Sequence, residues 1–165
     1  LTVVAGSDRS RQESVALGLT ALGKREPDSI VLVHDAARPL TPPEVTRRVI
    51  GAVRGGARAV IPVLPVTDTL KTVDASGVVV GTPRRSDMVA VQTPQGFRWD
   101  VLIRAHEAGA SLGADEAAAA TDDAGLVEAI GGSVQTVAGD ELSLKVTRPL
   151  DLAIARLLAD AEAHP

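Results

Sequence analysis

Asp35 and Arg38 stand three residues apart in the run His34-Asp35-Ala36-Ala37-Arg38-Pro39, which follows a buried-strand pattern (Ser29 to Val33) and precedes a helix start, Thr41-Pro42-Pro43-Glu44. A strand that ends in a carboxylate, two small residues and a guanidinium delivers those groups to the carboxyl edge of its sheet, where open α/β folds bind ligands. Other polar groups fall at expected strand ends and turns: Gly6-Ser7-Asp8, Asp68-Thr69 with Lys71, Arg84-Arg85, Thr93, Thr121-Asp122-Asp123 and Lys145. Arg offers phosphate oxygens a planar fork, and Lys offers them a point charge. Carboxylates beside such cations suit Mg²⁺ held against phosphates. The mixture suits phosphoryl or nucleotidyl transfer, which needs positioning and charge neutralisation and no protein nucleophile.

Each group also has an ordinary explanation. A lone Asp or Arg in a loop is most often a solvated charge, Arg84-Arg85 suits an exposed hairpin end, and Thr121-Asp122 suits a helix cap beside the helix dipole. His34 fits a satisfied core histidine as well as a catalytic one and is assigned no chemistry. Ser14 opens no triad, because no His and Asp pattern accompanies it. The sequence holds neither a Walker lysine loop nor a Gly-x-Gly-x-x-Gly loop. With no cysteine there is no disulfide framework, thiolate nucleophile or Cys-based zinc site. A net charge of −4 supplies no basic field for a nucleic-acid backbone or an anionic membrane. Phe97 and Trp99 are the only aromatics, so base stacking is disfavoured. Small-molecule ligands, no nucleic acid, no membrane and a cytoplasmic location are the expectations, with neither a signal peptide nor a spanning segment in view.

The elements that must position these groups alternate. Strand-like runs at Leu1–Ala5, Ile30–Val33, Ala59–Pro62, Ala90–Gln92 and Ser133–Val137 are interleaved with helical patterns, which predicts one α/β domain over residues 1–165 with a mostly parallel sheet. Helices are expected at Gln12–Leu22, Pro43–Val53, Trp99–Gly109, Asp122–Ile130 with Thr121 as N-cap and Gly131-Gly132 as stop, and Pro149 to about Ala161. The Ala-rich stretch 114–120 reads as a helical or surface segment. Between Thr67 and Met88, two short β-like runs, Thr69–Val73 and Val78–Gly81, flank the turn-former Asp74-Ala75-Ser76-Gly77. A hairpin with so few apolar residues is expected to pack on something else, a second copy of the chain. Leu1-Thr2-Val3-Val4-Ala5-Gly6 reads as a strand already in progress, so the protein is expected to continue upstream of Leu1.

Taken together, Val4-Ala5-Gly6 with Arg11 to Val15, His34 to Pro39, Pro65 to Lys71, Gln92-Thr93-Pro94-Gln95, Thr121-Asp122 and Lys145-Val146-Thr147-Arg148-Pro149 resemble, in this order and spacing, the 2-C-methyl-D-erythritol 4-phosphate cytidylyltransferases. The resemblance covers almost the whole chain. It implies a Rossmann-like nucleotidyltransferase fold whose hairpin, about residues 67–88, is a dimerisation arm. It also implies Mg²⁺ and the reaction of CTP with methylerythritol phosphate to give the diphosphocytidyl product and pyrophosphate. By the same resemblance Gly6, Asp8 and Ser14 lie near the cytosine, while Asp35 and Ala36 lie near the ribose and phosphates, with Asp35 as the metal ligand. Arg38, Thr93 and Thr121 bind the sugar phosphate, with Thr69 and Arg85 completing the partner subunit's site. Arg85 and Lys145 are the catalytic cations.

Three departures from the family pattern shape the expectations. The N-terminal Gly-rich loop that wraps the triphosphate has no counterpart here, so this stretch of chain by itself is expected not to turn over. The usual paired glycine reads Gly6-Ser7-Asp8, and the usual Asn-Ile-Lys reads Ser143-Leu144-Lys145 with acids displaced to Asp140 and Glu141. Two other readings share the pattern: a cytidylyltransferase for another polyol phosphate such as ribitol 5-phosphate, and a truncated, non-catalytic interaction domain.

Overall fold

The computed structural model describes residues 1–110 and 121–163. The Ala-rich 114–120 stretch lies outside them. In chain order the elements are α1 (Arg11–Leu22), β1 (Ile30–Val33), α2 (Pro43–Arg54), β2 (Ala59–Pro65), β3 (Thr72–Val73), β4 (Val79–Gly81), β5 (Val89–Val91), β6 (Gln95–Arg98), α3 (Trp99–Gly109), α4 (Asp123–Ala129), β7 (Gln135–Ala138) and α5 (Pro149–Ala163). Short 3-10 turns at Arg85–Asp87 and Glu141–Ser143 complete the list.

The run Ile30-Val31-Leu32-Val33 is apolar at every position because both faces of its sheet are covered. Val31 and Val33 face one core with Leu19, Phe97, Trp99, Leu102, Leu126 and Val127, contributed by α1, β6, α3 and α4. Ile30 and Leu32 face a second core with Val49, Val53, Ala57 and Val60 under α2. α2 buries Val45, Val49 and Val53, one residue per turn, and opens on Pro43 at its first position, where a missing N–H costs nothing. Helices on both sides of a sheet bear out the α/β class.

β6 lies between β1 and β2 and is antiparallel to both, so β1 and β2 run in the same direction. β7 pairs parallel with β2, and β5 antiparallel. Three strands thus share one direction while β5 and β6 oppose them; only the β2–β7 pairing among the described strands is itself parallel. The sequence pattern did not single out β6. Gln95-Gly96-Phe97-Arg98 carries one large apolar side chain, and it is a strand because β1 and β2 offer it hydrogen bonds on both edges.

Leu1–Ala5, expected as a strand, forms none in the structure. Its side chains are exposed and it pairs with no strand among the described residues, so β-propensity has no ladder to act on. The helices lie within one or two residues of expectation, with α3 matching at both ends. The α4 cap differs: Asp122, not Thr121, is the N-cap, its carboxylate accepting from the Gly125 N–H at 2.8 Å. The Gly131-Gly132 stop holds, with Gly131 at φ 75°.

The hairpin forms as a separate two-stranded sheet, β3 against β4, that projects from the antiparallel β2–β5 pair. Its turn is closed by Asp74 Oδ1, which accepts from the Ser76 and Val78 N–H groups, with Gly77 at φ 84°. Val73, Val78, Val79 and Val80 are all exposed on it.

Candidate functional site

The carboxyl end of β1 runs into a tight turn closed by the Arg38 N–H to the Asp35 carbonyl at 3.0 Å. That turn sets Asp35 and Arg38 on the wall of a cavity of about 200 Å³, lined also by Arg11, Gln92, Thr93, Gln95, Thr121, Asp122 and Lys145. Asp35 sits among three cations, with Lys145 Nζ at 3.2 Å and Arg38 Nε at 3.6 Å from Oδ2, and Arg11 Nε at 3.7 Å from Oδ1.

Each partner is held by main chain or by a second side chain. Arg38 donates from Nη1 to the Ser143 carbonyl at 2.6 Å and from Nη2 to Val91 at 3.4 Å, and its Nε is buried with no hydrogen-bond partner. Burial pulls the Arg38 pKa below its ordinary value, against the opposing attraction of Asp35. Lys145 is placed by the Val146 N–H, which donates to the Ala37 carbonyl at 2.8 Å. The Thr93 hydroxyl accepts from the Asp35 N–H at 3.0 Å and lies 2.9 Å from His34 Nδ1, which gives His34 a structural partner.

Beneath this layer the fully buried Gln95 donates to Asp122 Oδ2 at 2.8 Å and accepts from the Ala124 N–H, fixing the start of α4 beside the cavity. Asp123, also fully buried, takes Arg11 Nη1 on Oδ2 at 2.8 Å and His106 Nε2 on Oδ1 at 2.9 Å. Burial alone would raise the Asp123 pKa, but the His106 hydrogen bond and the Arg11 charge overcome it and hold the carboxyl below its ordinary value.

The structure therefore gathers Asp35, Arg38, Thr93, Thr121 and Lys145, drawn from four places in the sequence, around one cavity. Gly6 and Ser14 lie together at the start of α1, where a Cβ on Gly6 would come within 3.1 Å of Ser14 Oγ, and Asp8 is exposed beside them. Ala36 lies in the exposed turn after β1. Thr69 and Arg85 do not line the cavity; they sit exposed on the hairpin arm, with Arg85 Nη1 donating to the Thr67 carbonyl at 2.7 Å. Arg11, Gln92 and Gln95 are not singled out from the sequence as site residues, although they lie inside the motifs quoted above; Asp122 stands among the candidate polar groups there but is given no role.

No group of three or more acidic, His or Cys side chains able to hold a metal occurs among the described residues. The donor set is one accessible carboxylate, Asp35, because both Asp122 oxygens are taken by Gln95 and Gly125. One carboxylate suits an ion that enters on substrate phosphates better than one held by protein alone. No described helix is long and apolar enough to cross a membrane.

A family model described as IspD, 2-C-methyl-D-erythritol 4-phosphate cytidylyltransferase, matches residues 1–160. Curated proteins of that name from Rhodococcus opacus and Nocardia farcinica are 51% and 52% identical over 99% and 98% of this chain. The chain spans 68% and 64% of their lengths. The crystal structure of 2-C-methyl-D-erythritol 4-phosphate cytidylyltransferase from Thermus thermophilus, 38% identical, superposes with a TM-score of 0.80 over 95% of this chain and 72% of its own. The relative from Francisella tularensis, 29% identical, reaches 0.83 over 94% and 70%. The fold, the cavity and a match along nearly its whole length agree, and the chain belongs to the 2-C-methyl-D-erythritol 4-phosphate cytidylyltransferase family of nucleotidyltransferases.

Proposed function

We propose that this chain supplies the sugar-phosphate side of a cytidylyltransferase site, at which CTP and 2-C-methyl-D-erythritol 4-phosphate give 4-diphosphocytidyl-2-C-methyl-D-erythritol and pyrophosphate. The observation that carries the reading is the set of three cations around Asp35 in a cavity that also holds Thr93 and Thr121. A substrate phosphate oxygen attacks the α-phosphorus of CTP, forming a new P–O bond as the bond to the β-phosphate oxygen breaks and its electrons leave with pyrophosphate. The nucleophile is already an anion, so no general base is needed.

Both reactants are anionic and repel each other unless cationic groups offset the charge. Arg38 and Lys145 do this from within the cavity, and the Thr93 and Thr121 hydroxyls fix the orientation of the polyol phosphate. Gly6, Asp8, Ser14 and Ala36 face the nucleotide. Asp35 would hold Mg²⁺, which would supply further charge neutralisation. Thr69 and Arg85 reach the site of a second copy of the chain through the hairpin arm, which accounts for a hairpin with exposed valines and no core of its own. A cysteine-free chain of this activity belongs in the cytoplasm.

Pyrophosphate release from CTP with methylerythritol phosphate and Mg²⁺ tests the reading, on this chain and on a protein extended to the length of its relatives. Turnover by the extended protein supports it. Turnover with ribitol 5-phosphate in preference, or CTP binding with no turnover in either protein, would overturn it.

A further inference from the structure

Arg11 opens α1 directly after its Ser10 N-cap, so its backbone is fixed by the helix start. Its guanidinium reaches two acids from different parts of the chain. The Nη1 contact to Asp123 at 2.8 Å is a hydrogen bond, whereas the Nε separation from Asp35 of 3.7 Å is not. Arg11 is therefore anchored by Asp123 and only aimed towards Asp35, with its Nη2 in neither contact. Asp123 does not line the cavity, and its second oxygen is occupied by His106, itself buried on α3. The Asp123 side chain meets the cavity lining through Arg11.

The charge pattern gives this anchoring a purpose. The described lining carries three cations, Arg11, Arg38 and Lys145, against two carboxylates, Asp35 and Asp122. With Arg11 the lining favours an anion, and without it the charges cancel. We infer that Arg11 binds an oxygen of the substrate phosphate in this cavity, and that Asp123, backed by His106, is the positioning residue that holds its guanidinium fork there. The inference rests on the phosphate-transfer reading of the site and adds a residue to it. A salt bridge that merely tied α1 to α4 would serve stability and leave substrate affinity alone.

A double-mutant cycle separates the two roles. Steady-state kinetics of the enzyme at its relatives' length should show Arg11→Ala raising KM for the polyol phosphate by roughly tenfold to a hundredfold, the loss of one charge-assisted hydrogen bond, with little change in kcat. Arg11→Lys should recover part of that loss. Asp123→Asn should raise the same KM, and the double variant should be no worse than Arg11→Ala, because one residue acts through the other. Should Asp123→Asn fail to fold, the Arg11→Ala and Arg11→Lys pair carries the test.

Calorimetric binding of inorganic phosphate to the same proteins repeats the cycle without turnover. If the parent enzyme does not turn over but phosphate binding follows the cycle, the inference stands and the cytidylyl reading fails. Additive effects, or KM and phosphate affinity unmoved by Arg11→Ala, would overturn the inference.

Discussion

Gln92 is hydrogen-bonded twice to the main chain of Asp140: its Nε2 donates to the Asp140 carbonyl at 2.8 Å and its Oε1 accepts from the Asp140 N–H at 3.0 Å. The side chain replaces a strand edge and ties the β5–β6 turn, which carries Thr93, to the segment that leads through Ser143 to Lys145. Gly139 makes room for it, since a Cβ there would come within 2.2 Å of Gln92 Oε1.

Gln92→Ala leaves two main-chain groups of Asp140 without these partners and should cost about 1–3 kcal/mol in urea unfolding. Gly139→Ala should cost a similar amount by expelling the same side chain. Both should weaken substrate binding along with stability, since Lys145 loses its support; a variant with an unchanged unfolding midpoint would contradict the clamp.

Gly96 has no room for a methyl group. A Cβ would lie 2.4 Å from Val49 Cγ1 and 3.3 Å from Leu32 Cδ2, inside the core under α2. Gly96→Ala should destabilise by about 1–3 kcal/mol through overpacking, read as a lower thermal midpoint.

Asp123 predicts a pH dependence. Its folded pKa lies below the ordinary value of 3.8, so its contribution to stability is fully present above that value and is lost as pH falls through the lower, folded value. The difference in unfolding free energy between the parent and Asp123→Asn should therefore shrink as the pH falls below about 4. A difference that grew below that pH would reverse the assigned direction.

The proposed shared site makes a mixing prediction. Arg85→Ala and Lys145→Ala should each abolish most turnover while the fold persists. An equal mixture, allowed to exchange subunits, should regain roughly a quarter of parent activity, because half of the dimers are mixed and each mixed dimer has one intact site. No recovery, or a monomer in sedimentation at micromolar concentration, would refute the arm exchange.

Local chemistry was legible in the sequence. Pro43 and Glu44 opening α2, the Asp74-Ala75-Ser76-Gly77 turn, the glycines that stop α4 and both ends of α3 follow from capping and turn preferences that act within a few residues. The cavity residues Asp35, Arg38, Thr93, Thr121 and Lys145 could be named in advance because their motifs, in this order and spacing, resemble those of the family, although each polar group taken alone has an ordinary explanation. Two local readings went astray for the same reason. Leu1–Ala5 had strand propensity but no neighbour to pair with, and β6 had little propensity but two neighbours.

What the sequence by itself determined, then, is the class of fold, the helices and the chemical character of the groups at the strand ends. The tertiary structure decided which of those groups meet: Arg11 with Asp123 across 112 positions, Arg38 with the Ser143 carbonyl across 105, and Gln92 with Asp140 across 48. Capping and periodicity are set by neighbours in the chain, whereas these contacts depend on β6 entering between β1 and β2 and on β7 lying beside β2. That arrangement is selected by burying both faces of one sheet at once, which no short stretch of residues specifies.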